Sequence, residues 1–193
     1  MDKIVIIGSS GAGKTTLAKK LGSRLGLSVY HLDRFFWRPD WKKKPDDTRI
    51  DILQNLVGRK RWIIEGSYLN SSELHLIEAD TIIFLDIPPF VCFWRRIKRH
   101  REYQGHPGRD LPLGSKDKLT LPVLFHILFF PFQARKKLEF KLSKYPSKKV
   151  IRLYSAKDIE RFLENPEMYL DELRDSSYSA SVVNEAYLVL SSR

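Results

Sequence analysis

The chain has 193 residues, with 34 lysines and arginines against 23 aspartates and glutamates, for a formal charge of +11. That length suits one compact domain, and 42% hydrophobic with 30% charged residues exclude intrinsic disorder. The single cysteine, Cys92, excludes an internal disulfide framework and a cysteine-based zinc cluster, and the apolar run Ile4-Val5-Ile6-Ile7 is too short for a signal peptide's core, so the cytoplasm is the expected compartment.

In chain order, Asp2 to Ile7 reads as a buried strand, being short, β-branched and closed by a glycine. From Thr15 the period changes: Leu17, Leu21 and Leu25 share a helical face, and Gly26 is placed to stop that helix. Leu27 to His31 is a second strand, closing on Asp33. Asp46 and Asp47 are placed to cap a helix in which Ile50, Leu53 and Val57 recur at helical spacing. Trp62 to Ile64 is a strand ending at Glu65-Gly66, Ser71 to Ala79 a short helix, and Thr81 to Ile87 a strand ending in Pro88-Pro89. Phe90 to Tyr103 forms a basic helix, and Gln104 to Ser115 a loop with three glycines and two prolines. A helical stretch broken by prolines runs to Tyr145, followed by a strand at Lys149 to Tyr154 and a helix at Lys157 to Leu163. Alternating strands and helices argue for a parallel sheet covered on both faces. Beyond Pro166 the chain is polar and serine-rich, with Ser176 to Ser181 expected to be flexible and Val182 to Leu190 apolar enough to dock.

Charge is distributed unevenly. Val91 to Arg152 holds sixteen basic and four acidic residues, a net of +12, so one third of the chain carries the whole imbalance. Such a surface either is a solvated basic face or meets polyanions: phosphates, nucleic acid or an acidic membrane. Within it, sixteen residues between Lys118 and Arg135 carry no charge. As a helix they reach only ~24 Å against ~30 Å of hydrocarbon, so a buried or partner-facing helix is expected and a dimer contact is left open.

The run Gly8-Ser9-Ser10-Gly11-Ala12-Gly13-Lys14-Thr15 fits G-x-x-x-x-G-K-[ST] at every fixed position, between a strand and an amphipathic helix. Glycines there let the backbone N–H groups turn inward around a phosphate, and the helix start adds its positive end. The expected nucleotide-binding set is therefore Gly8, Ser9, Ser10, Gly11, Ala12, Gly13, Lys14, Thr15 and Thr16. Lys14 is expected at the β- and γ-phosphates of ATP, and Thr15 at Mg²⁺.

Ligands on such sheets lie outside the carboxyl ends of the strands, where Asp33, Glu65 and Asp86 fall. Glu65 is the candidate to hold Mg²⁺ through water, against the alternative of an exposed turn carboxylate. Asp33 faces an incoming acceptor or caps a helix; Asp86 reads better as a structural turn residue. Arg95 and Arg99, four apart on one helix, share a face suited to a transferring phosphoryl group, and Arg109 in the glycine-proline loop would join on closure. The plainer alternative for these arginines is a solvated basic helix, the reading given to Arg96, Lys98 and Arg101. Trp37, Trp41 and Tyr68 either stack on a base or belong to the core.

Taken together, Gly8 to Thr15, His31-Leu32-Asp33 with Phe36-Trp37, Trp62 to Tyr68, Phe84-Leu85-Asp86, Cys92, Arg95, Arg99 and Arg109-Asp110 resemble bacterial P-loop kinases of the adenylate-kinase-related, or DNA topology modulation, family. The resemblance covers roughly residues 4–163. It implies an α/β fold like that of nucleoside monophosphate kinases: a three-layer sandwich on a five-stranded parallel sheet ordered 2-3-1-4-5, with a helical, mobile lid. On that basis residues 1–166 form one kinase domain with its lid near 95–118, and residues 167–193 form a partly flexible tail. The family usually carries Asp-Gly where this chain has Glu65-Gly66, so the carboxylate sits one methylene further out.

The expected activity is ATP-dependent phosphoryl transfer to a nucleotide or another small metabolite, with Lys14, Asp33, Arg95, Arg99 and Arg109 as the catalytic set. ATP, Mg²⁺ and a small acceptor are the expected partners, and no membrane. A regulatory GTPase is excluded because neither Asp-x-x-Gly after the P-loop nor Asn-Lys-x-Asp occurs; Ser155-Ala156-Lys157 alone is too short to argue otherwise. The alternative is a nucleic-acid-binding P-loop NTPase affecting DNA topology, which the +12 segment invites although no helix-turn-helix, zinc-finger or RNA-recognition signature is present.

Overall fold

A computed structural model describes residues 1–66, 73–102, 119–146, 148–167 and 169. Five strands form one parallel sheet: β1 (Lys3–Gly8), β2 (Val29–His31), β3 (Trp62–Glu65), β4 (Thr81–Leu85) and β5 (Lys149–Leu153). Their order is β2-β3-β1-β4-β5, as the resemblance implies. The helices are α1 (Lys14–Leu25), α2 (Leu32–Phe36), α3 (Asp46–Val57), α4 (Leu74–Glu78), α5 (Pro89–Glu102), α6 (Leu121–Phe130), α7 (Lys136–Ser143) and α8 (Ala156–Glu164), with a π-helical turn, Pro131–Arg135, between α6 and α7.

The period-2 alternation of the strands divides the interior in two. Val5, Ile7, Ile64, Ile82 and Phe84 point into one layer, with Leu32 and Phe36 of α2, Leu53 and Leu56 of α3, Leu76 of α4 and Leu138 of α7. Ile4, Ile6, Ile63, Ile83 and Leu85 point the other way, against Leu17 and Leu21 of α1, Cys92 of α5, Ile127 of α6 and Phe162 of α8. Strands buried on both faces explain why β1 and β4 are unbroken apolar runs. Gly22 sets how closely α1 approaches the sheet, since a Cβ there would lie 2.5 Å from Val29 Cγ2.

Several boundaries differ from the sequence reading. β4 stops at Leu85, so Asp86 and Ile87 lie beyond the strand. Asp46 and Asp47 occupy the first turn of α3 behind Pro45, where they favour the positive helix end rather than cap it. The helix expected from Ser71 spans Leu74–Glu78 in the described residues. Asp33 lies within α2, a one-turn helix that opens directly after β2. Pro131 has no N–H to continue the α ladder of α6, and the chain takes a wider turn instead of breaking. Gly26 does end α1, in the left-handed conformation with its N–H on the Gly22 carbonyl. Ser155 caps α8 by accepting from Asp158 N–H at 3.1 Å while Asp158 Oδ2 accepts from Tyr154 N–H at 3.0 Å, so the tripeptide Ser155-Ala156-Lys157 serves a helix start. The glycine-proline loop with Arg109, the position of Tyr68 and the tail from Leu170 lie outside the described residues.

Candidate active site

The turn after β1 is shaped by glycines at positive φ: Gly8 (151°), Gly11 (83°) and Gly13 (102°). At two of them space matters as well. A Cβ on Gly8 would meet the Leu85 carbonyl oxygen at 2.7 Å, and one on Gly11 would meet the Cys92 carbonyl oxygen at 2.3 Å. The loop is thus wedged between the end of β4 and the first turn of α5. Ala12 N–H donates to the Ser9 carbonyl at 3.2 Å, closing the curl, and Lys14 Nζ folds across to the same carbonyl at 3.0 Å. Ser9 is buried and its Oγ has no partner among the described residues. Ser10, Gly11, Gly13, Lys14 and Thr15 are half-buried and Thr16 is exposed, so the loop is open on one side.

Parallel register brings the polar ends of three elements together. His31 lies opposite Glu65 in the β2–β3 ladder, and Glu65 opposite Ile6 in β3–β1. Glu65 Oε1 accepts from Thr15 Oγ1 at 3.0 Å and lies 2.9 Å from His31 Nδ1. Burial pushes the Glu65 carboxyl up, but the His31 hydrogen bond, the Lys14 charge and the Thr15 hydroxyl outweigh it, leaving the group below its ordinary range and ionised at neutral pH. An ionised carboxylate only accepts, so His31 carries its proton on Nδ1. Glu65 is therefore a buried, charged group and not an exposed turn residue.

This donor set fits a magnesium ion. Mg²⁺ takes one or two protein oxygens and fills its octahedron with phosphate oxygens and water, and Thr15 with Glu65 offers a hydroxyl and an anionic carboxylate at the helix start. The glycines at positive φ curl the loop at the start of α1, packed against β4 and α5 from behind, and such a curl fits the phosphates of a nucleotide in the same way.

The remaining candidates are dispersed. Arg95 is half-buried on α5 and its Nη1 lies 3.5 Å from the Ala12 carbonyl, a long contact that still brings it to the loop. Arg99, one turn on, is exposed, as is Asp33 in the first turn of α2. Arg96 is buried, which corrects its reading as part of a solvated face.

Two pairings at this edge, His31 with Glu65 and Asp86 with Arg135, are not legible in the sequence. His31 sits 34 residues before the carboxylate it bonds, and only the strand register reveals the pair. Asp86, just past β4, forms an ion pair with Arg135 at 3.1 Å, out of line for a hydrogen bond. Burial raises the Asp86 carboxyl, and Arg135 and Arg152 oppose it. Arg135 also binds Glu139 at 3.2 Å, which in turn holds Arg152 at 3.2 Å. Cys92 is inert structure: its buried thiol donates to the Ile87 carbonyl at 3.6 Å and burial pushes its pKa up.

No family model matches the chain. It is 30% identical over 115 residues, 58% of its length, to the uncharacterized protein YqaC of Bacillus subtilis (strain 168), and the match spans 64% of that protein, just under two thirds. Among solved structures, shikimate kinase from Acinetobacter baumannii in complex with shikimate aligns with a TM-score of 0.55 at 15% identity, over 89% of this chain and 94% of that one. Shikimate kinase from Bacteroides thetaiotaomicron aligns at 0.51 and 17%, over 87% and 97%. The chain has the P-loop kinase fold of the nucleoside monophosphate kinase-like type.

Proposed function

We propose that this chain is an ATP-dependent phosphotransferase acting on a small acceptor, as one domain over residues 1–166 with a lid near 95–118 and a tail at 167–193. The observation that carries the reading is the convergence of Thr15 and His31 on the ionised Glu65 carboxylate beside the glycine curl. A turn without a ligand has no need of a buried anion at that place. The solved shikimate kinases of the same fold support a small-molecule acceptor.

In this reading the N–H groups from Gly8 to Thr16 hold the nucleotide phosphates. Lys14 leaves the Ser9 carbonyl for the β- and γ-oxygens. Thr15 and Glu65 would hold Mg²⁺, which when bound would neutralise phosphate charge. His31 fixes the Glu65 carboxylate, and the extra methylene relative to aspartate is taken up by that bond. Arg95 supplies positive charge from the α5 side, with Arg99 and Arg109 joining on closure, and Asp33 orients the acceptor. Exclusion of water falls to the lid, because an open loop would let ATP hydrolyse.

The test is ADP release from ATP-Mg²⁺ across nucleotides and phosphorylatable metabolites, comparing wild type with Lys14→Ala. Acceptor-dependent release that vanishes in the variant is expected. Release that depends on added DNA instead would favour the nucleic-acid NTPase.

A further inference from the structure

Along α6 and the turn after it, Leu121, Phe125, Phe129 and Phe132 are 71%, 58%, 49% and 69% exposed. Spacings of four, four and three residues put them in one row. The row is continuous: the rings of Phe125 and Phe129 stack at 6.2 Å between centroids, and Phe129 meets Phe132 at 6.5 Å. The opposite side of α6 is satisfied, with Ile127 and Phe130 buried in the two cores. Four large apolar side chains in an exposed line exceed what scattered surface hydrophobes explain.

Charge surrounds the row with one sign. Residues 89–102 and 121–143 contain nine basic and two acidic side chains; Arg96 is buried and Arg95, Arg135 and Lys141 have inward partners, but Lys136 and Lys137, next to Phe132, are exposed, as are Lys98, Arg99 and Arg101 on α5, which packs on α6. Of the two acidic residues, Glu139 is already engaged by Arg135 and Arg152. An occupant must therefore be anionic and must also take up aromatic rings. We propose that this face docks on an anionic lipid surface, the phenylalanines entering the headgroup boundary and the lysines and arginines meeting lipid phosphates and carboxylates.

Shape separates this occupant from the others. Phenylalanines exposed to this degree stand out from the helix, so a protein partner would need a groove cut to match, whereas an interfacial layer accepts protruding rings without one. A second copy of the chain would bring the same cationic border against itself. No helix among the described residues is long and apolar enough to cross a membrane, so the contact is peripheral. The expectation of no membrane partner rested on the length of this segment, and length excludes only a span.

Full-length protein is sedimented with phosphatidylcholine vesicles, alone or with about 30% phosphatidylserine, at low salt and at about 0.5 M NaCl. Binding to the anionic vesicles only, reduced at high salt, is expected. Phe125→Ser/Phe129→Ser should lower it about tenfold with an unchanged melting curve, and so should Lys136→Gln/Lys137→Gln. Phe132→Ser serves if the double phenylalanine variant fails to fold, with a loss of about threefold expected. The proposal is overturned if wild type stays in the supernatant, or if every phenylalanine variant binds as wild type does, which leaves plain attraction of cations to a polyanion. It is equally overturned if sedimentation equilibrium finds a dimer that these phenylalanine changes dissociate.

Discussion

The P-loop edge of the sheet and the segment from α5 to α7 treat their polar groups in opposite ways. At the P-loop, Lys14, Thr15, His31 and Glu65 find partners within about 3 Å inside the protein, so local chain geometry fixes the site before any ligand arrives. From α5 to α7, Lys98, Arg99, Arg101, Lys136 and Lys137 are exposed beside exposed phenylalanines, while Arg95, Arg135 and Lys141 reach inward, to the Ala12 carbonyl, to Asp86 and to Glu73. The first region states its chemistry in its own contacts. The second presents its charges and rings outward.

The largest effect should come from Lys14→Ala, which removes the cation folded across the loop onto the Ser9 carbonyl. Turnover should fall by about 10³-fold, the scale of ~4 kcal/mol of lost charge stabilisation, with little change in melting temperature. A variant retaining more than about a tenth of wild-type turnover would place the chemistry elsewhere.

Next come two glycines that separate crowding from strain. Gly11→Ala drives a Cβ to 2.3 Å from the Cys92 carbonyl oxygen, where neither backbone can yield. It should cost ~2–3 kcal/mol in denaturant unfolding and weaken ATP binding measured by calorimetry. Gly13→Ala meets nothing within 4 Å but keeps a φ of 102°, so its cost should be ~1 kcal/mol. Equal losses would mean that α5 does not brace the loop.

A third test concerns the layer shared by α4 and α7. His75 is fully buried with neither ring nitrogen partnered among the described residues, and burial, aided by the Lys141 charge, lowers its pKa from 6.5 to about 4. The folded protein binds this proton less readily than the unfolded chain. Stability is therefore complete above pH 6.5 and falls as the pH drops toward 4, by ~3 kcal/mol if no other group intervenes. His75→Leu should flatten that part of the profile in urea titrations at stepped pH. An unchanged slope would assign the acid sensitivity to other residues.

How much of this was legible follows the same division. β1, the glycine run and β4 declare themselves because buried strands are apolar throughout and a phosphate loop needs glycines at fixed places. The sheet order came through the resemblance, since strand periodicity says nothing about neighbours. The pairing of His31 with Glu65 needs the β2–β3 register, which no local pattern encodes. α2 escaped because five residues make too short a run for helical periodicity to show. Arg135 escaped because the π-turn resets the helical phase, so its direction does not follow from counting along α6. Arg96 looked like one charge among many; its burial follows from which face of α5 meets the sheet.

The smallest effect, and the sharpest test of the contrast, lies within α5 itself. Arg95 and Arg99 look equivalent by spacing, yet Arg95 is half-buried with Nη1 3.5 Å from the Ala12 carbonyl, and Arg99 is exposed one turn away. Lysine preserves the charge at either site but loses the planar fork that can hold two phosphate oxygens at once. If the loop edge is organised before ligand binds, Arg95→Lys should lower turnover by about tenfold, equivalent to ~1.4 kcal/mol, while ATP affinity stays near wild type. Arg99→Lys should then cost only about twofold, because an exposed guanidinium in water gives up little that an ammonium cannot replace. Steady-state kinetics on both variants, with ATP binding measured separately, decides the matter. Equal tenfold losses would show that the outer turn of α5 is drawn onto the phosphates during turnover, and the boundary between the two regions would move one helical turn outward.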